Sequence, residues 1–70
     1  MAEKISNTVY ALRTRKGITQ EDLADKVGVT RQTVISLEKG NYTPSVLLAL
    51  KIADIFKVAV EDIFAITYGK

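Results

Sequence analysis

The side chains of this chain that could do chemistry are few in kind, because its 70 residues include no cysteine and no histidine. Thiol nucleophiles, imidazole bases, Ser/His/Asp triads and metal sites built on either residue are thereby excluded. The sequence offers instead a set of hydrogen-bonding side chains at helical spacing in one short segment: Arg31, Gln32, Thr33 and Ser36. The carboxylates have no base or nucleophile arranged beside them, so an enzyme is the weakest interpretation and recognition is favoured.

An outward polar face needs a helix that is held in place by its other face. The segment Gln20 to Lys39 reads QEDLADKVGVTRQTVISLEK, which indicates two helices joined by a turn too short for antiparallel packing. Such a crossing requires a small residue at the closest approach, Ala24, and a residue tolerant of positive φ at the corner, Gly28. Apolar residues tie both helices to one core: Leu23, Val27, Val29, Val34 and Leu37. This pattern is that of the helix-turn-helix, whose second helix lies in the major groove of DNA.

The rest of the chain must supply the core on which that unit rests. Apolar periodicity predicts a first helix over roughly residues 2–16, with Ile5, Val9 and Leu12 on one face and Gly17 at its end. Thr19 reads as the N-cap of the second helix, with Asp22 at the spacing of a capping box.

Three further helices complete the predicted all-α fold of five helices. The third covers about residues 31–39 after the N-cap Thr30 and stops at Gly40. In the fourth, Thr43 is predicted to be the cap and Pro44 the first residue, with Leu50, Ala53 and Phe56 facing the core. The fifth is short, about residues 60–65. The tail from residue 66 to 70 fits either a frayed end or a short strand.

Net charge is weak at +2, but its distribution along the chain is uneven. Residues 1–20 carry four basic residues against one acidic residue, whereas residues 21–30 carry three acidic residues against one basic residue. This balance permits nucleic-acid binding without establishing it. The longest apolar run, Val46 to Leu50, is far below the ~18 residues that span a bilayer, and no signal peptide is recognisable. We therefore expect residues 1–70 to form one cytoplasmic domain.

Three runs of the sequence are typical of one known family of helix-turn-helix proteins: KGITQEDLADKVGVTRQTV, LEKGNYTPS and LALKIADIF. With these runs the chain resembles the lambda-repressor-like, Cro-type helix-turn-helix regulators, also called the xenobiotic response element family, over roughly residues 4–66. The resemblance implies a five-helix DNA-binding domain that acts as a homodimer on palindromic operators. It implies no cofactor, metal or small-molecule ligand and no membrane.

The resemblance also assigns roles to individual residues. Arg31, Gln32 and Ser36 match positions that reach base edges, and Thr33 matches one that touches phosphate or a thymine methyl. Arg13 and Glu38 match a buried ion pair that links the first and third helices. Gln20 matches an amide that binds a phosphate and braces the third helix. The positions implied to contact phosphate are Thr19, Gln20, Thr30, Lys39, Asn41, Tyr42 and Thr43.

These features favour a transcriptional regulator that represses by occluding promoters, with dimerisation through residues 60–70, where Ala65, Ile66 and Tyr68 are apolar for an exposed end. Two other interpretations remain open. The chain could be the antitoxin or controller component of a two-gene module that also binds a protein. It could instead be a helix-turn-helix scaffold that acts through protein contacts alone.

Overall fold

A computed structural model describes residues 3–68 of the chain as a helical body with a two-stranded ribbon. The strands are β1 (Glu3–Asn7) and β2 (Phe64–Tyr68), and they pair antiparallel. Between them lie five helices: α1 (Val9–Lys16), α2 (Gln20–Val27), α3 (Arg31–Glu38), α4 (Val46–Phe56) and α5 (Val60–Ile63).

The ends of the first three helices are set by local chemistry. Gly17 and Gly28 end α1 and α2 in the left-handed conformation, at φ values of 80° and 78°. The hydroxyl oxygen of Thr30 accepts the backbone N–H of Thr33 at 3.2 Å and caps α3. At the start of α2, the Thr19 hydroxyl accepts the Asp22 N–H at 3.0 Å while the Asp22 carboxylate accepts the Thr19 N–H at 3.1 Å. The predicted N-caps Thr19 and Thr30 and the capping box are therefore confirmed.

Removing the cap of α2 tests how much this local chemistry contributes. Thr19→Ala leaves the Asp22 N–H without its side-chain acceptor, and we expect the free energy of unfolding in urea to fall by about 1 kcal/mol. Hydrogen bonds from Thr19 lower the pKa of Asp22 in the folded chain, the backbone N–H more than the hydroxyl. The stability that Asp22 contributes is therefore present above its unfolded pKa and is lost as the pH falls through the folded value. In the variant, an NMR titration should find the pKa of Asp22 only slightly closer to its ordinary value, because the backbone N–H of residue 19 is retained, and an unchanged free energy of unfolding would contradict the capping role.

The all-α prediction is wrong at both ends of the chain. Residues 3–7, predicted to begin the first helix, form a strand, and α1 starts only at Val9. The fifth helix, predicted over residues 60–65, ends at Ile63, and residues 64–68 form the second strand. Ile5 pairs with Ile66 across the ribbon, and Asn7 with Phe64. Residues 66–68 of the tail therefore form a short strand, which was one of the two predicted alternatives. The predicted helix start at residue 2 and the last two residues of the tail lie outside the described part of the chain.

The core lies where α1, α2, α3 and α4 meet, and its largest fully buried side chains are Val9, Leu23, Val34, Leu37 and Ile52. Ala24 of α2 is buried in the same core. The fourth helix differs from the prediction in its cap and at one core position. Ser45, not Thr43, caps α4 by accepting the Leu48 N–H at 3.1 Å, so Pro44 precedes the helix. Of the side chains predicted to face the core, Ala53 is buried and Phe56 packs against the core, whereas Leu50 is 53% exposed. Because the first turns of α4 are apolar on every side, their periodicity could not fix which face is buried.

Candidate nucleic-acid interface

The first turn of α3 presents the side chains that were predicted to reach base edges. Arg31 and Gln32 are exposed, and Thr33 and Ser36 are half-buried beside them. The same helix buries Val34 and Leu37 in the core, which holds its polar face outward. The hydroxyls of Thr30 and Thr33 lie 3.0 Å apart and share one hydrogen bond. One of the two hydroxyl protons is used in that bond, so the pair can offer one donor to a ligand.

A groove beside this turn leads to the start of α2. It is lined by Arg31 together with Thr19, Gln20 and Glu21 of α2 and with the turn that precedes them. The Thr19 hydroxyl accepts a hydrogen bond within the cap, but its proton remains able to donate. The backbone N–H groups of the first turn of a helix and its dipole favour an anion at such a position. This side of the molecule can therefore hold a phosphate next to Arg31.

A buried ion pair joins α1 to the end of α3. Arg13 Nε donates to Glu38 Oε2 at 2.7 Å, and the two side chains are only 9% and 6% exposed. Arg13 also donates to the Ile18 carbonyl at 2.9 Å, and its guanidinium lies over the Tyr10 ring. The second carboxylate oxygen of Glu38 accepts the Gln20 amide at 3.0 Å. One carboxylate thus fixes α1, α2 and α3 relative to one another.

Gln20 has two amide protons, and the contact with Glu38 uses one of them. The other proton and the amide carbonyl remain for a ligand at the start of α2. The side chain is half-buried, so it is partly held in this position. This geometry is compatible with both roles that the resemblance implied for Gln20.

The segment that follows α3 exposes Lys39, Asn41, Tyr42 and Thr43. Its first backbone N–H groups are used within the chain, since Gly40 donates to the Leu37 carbonyl at 3.0 Å and Asn41 to the Ser36 carbonyl at 2.9 Å. These bonds close the end of α3 around Gly40, whose φ is 81°. Contacts from Lys39 and Asn41 to a phosphate must therefore come from their side chains.

The acidic side chains of α2 are Glu21, Asp22 and Asp25, and Glu21 lines the groove beside Arg31. Asp22 and Asp25 are exposed, and Asp22 is held by the cap and by the nearby positive charge of Lys26, which also lowers its pKa.

Within residues 3–68, the acidic residues form no cluster that could hold a metal ion. None of the helices in that range has the length and apolar character that a bilayer crossing requires.

Asn7 supports the site and was missed from the sequence. Its amide donates to the Leu37 carbonyl at the end of α3 at 2.9 Å, and its side-chain oxygen accepts the Val9 N–H at 3.1 Å. One side chain therefore starts α1 and anchors β1 to α3. Asparagine two residues before a helix is a capping signal that could have shown the first of these roles.

Comparison with known proteins places this geometry in a family. A helix-turn-helix family profile matches residues 9–63. The uncharacterized HTH-type transcriptional regulator YgzD of Bacillus subtilis is 55% identical over 60 residues, which is 86% of this chain and 91% of that protein. Among solved structures, the restriction-modification controller protein C.AhdI from Aeromonas hydrophila is 33% identical with a TM-score of 0.71, covering 77% of this chain and 82% of that one. The N-terminal DNA-binding domain of SinR from Bacillus subtilis is 28% identical with a TM-score of 0.68, covering 76% and 78%.

The match to the profile covers most of the chain, and the relatives agree with it in name and in fold. Transcriptional regulators of this family bind DNA and are not enzymes. The chain belongs to the Cro-type, lambda-repressor-like helix-turn-helix family of transcriptional regulators.

Proposed function

We propose that α2 and α3 form the helix-turn-helix and that α3 enters the major groove of a specific operator. The observation that carries this proposal is the division of α3 into two faces, with Val34 and Leu37 buried and Arg31 and Gln32 exposed. An arginine can donate two hydrogen bonds to guanine O6 and N7, and a glutamine can pair with adenine N6 and N7. Thr33 and Ser36 lie on the flank of the same face and complete the base-reading set.

Phosphate contacts on both sides of α3 would fix the register of the helix in the groove. On one side are Thr19, Gln20 and the hydroxyls at the start of α3, including Thr30, and on the other are Lys39, Asn41, Tyr42 and Thr43. The support for this assignment is exposure, because all of these side chains except the half-buried Gln20 are exposed. Gln20 is tied through Glu38 to the end of α3, so its contact would be coupled to the position of the reading helix.

We further propose that two copies bind a palindromic site as a homodimer and repress transcription by occluding the promoter. Two α3 helices would then lie about one helical turn, ~34 Å, apart on the duplex. Apolar side chains outside the core support a contact between copies, since Ile66 and Tyr68 of β2 are 60% and 62% exposed. Residues 60–68 of the predicted dimerisation segment are therefore the ones we assign to that contact.

A controller role in a two-gene module is the second candidate. It is favoured by the likeness to C.AhdI, which is named as a restriction-modification controller protein. A controller of this kind uses the same DNA-reading surface, so it differs from a simple repressor in the genes that it regulates. A scaffold that acts through protein contacts alone would not need Arg31 or Gln32.

Selection from a random duplex library tests the proposal. The chain is used to enrich duplexes at two salt concentrations, and we expect a palindromic consensus whose half-sites are one helical turn apart. Binding should weaken as salt rises, because phosphate contacts release counterions. A consensus without symmetry would contradict the homodimer, and the absence of enrichment at low salt would favour the scaffold.

A further inference from the structure

A second groove lies between β1 and the end of α3. It is lined by Lys4, Ser6 and Asn7 of β1, by Thr67 of β2, and by the residues that end and follow α3, among them Lys39 and Asn41. The position of β1 along this groove is fixed by the bond from the Asn7 amide to the Leu37 carbonyl at 2.9 Å. No pattern in the sequence indicated this groove, because the groove depends on the position of β1.

The groove has a positive electrostatic character. Its two ammonium groups belong to Lys4 and Lys39, and neither forms an ion pair with another residue of the described range. The carboxylate in its wall is that of Glu38, which is paired with Arg13 at 2.7 Å and also accepts the Gln20 amide. The hydroxyls of Ser6 and Thr67 donate within the ribbon, to the Ala65 carbonyl at 3.5 Å and the Lys4 carbonyl at 3.3 Å, so the neutral side-chain donor left in this groove beside Asn7 is the Asn41 amide. Two cations with a neutral amide donor in the same groove suit a singly charged phosphodiester.

We infer that this groove binds a phosphate of the DNA backbone, so that Lys4 on β1 extends the DNA contact of Lys39 and Asn41 beyond the helices. The inference rests on the proposed function, since Lys39 and Asn41 are continuous with the surface proposed to hold the operator. The backbone N–H groups of Gly40 and Asn41 are already bonded to α3, so side chains must supply the contact. The ribbon thereby acts as an outer edge of the DNA-binding surface.

Removing the charge of Lys4 should weaken the salt dependence of DNA binding and leave the sequence preference unchanged. Each phosphate neutralised on duplex DNA contributes about −0.9 to the slope of log K against log salt concentration. Lys4→Gln keeps the length of the side chain and removes its charge. We expect the slope to become less negative by about 0.9 for each bound copy, and affinity per copy to fall about five-fold at ~0.15 M salt. The base preferences of the selected consensus should stay unchanged, because a phosphate contact carries no sequence information.

Lys57→Gln is the matched control, because Lys57 is an exposed lysine at the end of α4 whose partner, Asp54, lies 3.8 Å away on the same helix. Lys57→Gln should leave the slope of log K against log salt concentration unchanged, and Lys4→Arg should keep the slope of the unmodified chain. Binding is measured by fluorescence anisotropy on the consensus duplex over a series of salt concentrations, with thermal melting to verify folding. If the unmodified chain binds the duplex and Lys4→Gln keeps its slope, this inference is wrong while the proposed function stands. If the unmodified chain binds no duplex at low salt, both are wrong.

Discussion

Replacing Glu38 with alanine is expected to lower the free energy of unfolding by about 3–5 kcal/mol, the largest loss that we predict for a side chain of this surface. The substitution leaves the Arg13 guanidinium buried without a counter-charge, and it also removes the acceptor of the Gln20 amide. The cost comes mainly from the stranded charge, because a buried cation that has lost its partner cannot recover its hydration. Thermal and urea unfolding of the purified variant measure the effect.

The chain offers its own control for this prediction. Lys57 and Asp54 form an ion pair at 3.8 Å whose side chains are 80% and 81% exposed, so Asp54→Ala should change stability by less than about 1 kcal/mol. Replacing Arg13 with methionine together with Glu38→Leu should recover much of the loss, since neither charge is then buried. Equal melting temperatures for Glu38→Ala and the unmodified chain would show that the pair contributes nothing to stability.

Arg31→Ala is the prediction with the largest expected effect on DNA recognition. If Arg31 donates two hydrogen bonds to a guanine, its loss should cost about 1–3 kcal/mol on the consensus and should relax the preference at one base pair of each half-site. Stability should change little, because the side chain is exposed and is not part of the core. Binding to the consensus and to duplexes changed at single positions measures the affinity and the preference together.

Lys26→Ala is the matched control for Arg31→Ala. Lys26 is an exposed cation of α2 near Asp22. Its removal changes the net charge by the same amount as the loss of Arg31, but at a position next to an acidic side chain. We expect it to leave the base preference intact. Arg31 also lines the groove that leads to Gln20, where a phosphate could be held. An equal loss on every duplex would therefore show that Arg31 serves a phosphate and reads no base.

The bounds of α2 and the start of α3, with their caps, could be predicted because their causes lie within a few residues. Thr19, Asp22, Gly28 and Thr30 act on backbone groups no more than five positions away. The two-stranded ribbon could not be predicted, because the partner of each residue of β1 lies in the last quarter of the chain. Ile5 fits the apolar spacing of a helix with Val9, and this local agreement concealed the strand.

In the candidate site as well, features with local causes could be predicted, and features that depend on residues distant in the sequence could not. The exposed face of α3 follows from the spacing of Val34 and Leu37, so its polar residues could be predicted. The contact of Arg13 with Glu38 was implied by the family resemblance and not by spacing, since the two residues are 25 positions apart. Asn7 and Lys4 were not placed near α3, because their positions depend on the strand that the sequence did not reveal.

The pairing of β1 with β2 also has a consequence for the order of folding. It closes the chain between residues 3–7 and 64–68, whereas the bonds within α1 to α5 and their caps are local. Closure of a long loop carries an entropic cost that the isolated ribbon cannot offset, so the strands should join only after the helices have assembled. Changes in the ribbon should therefore speed unfolding and leave the folding rate nearly constant.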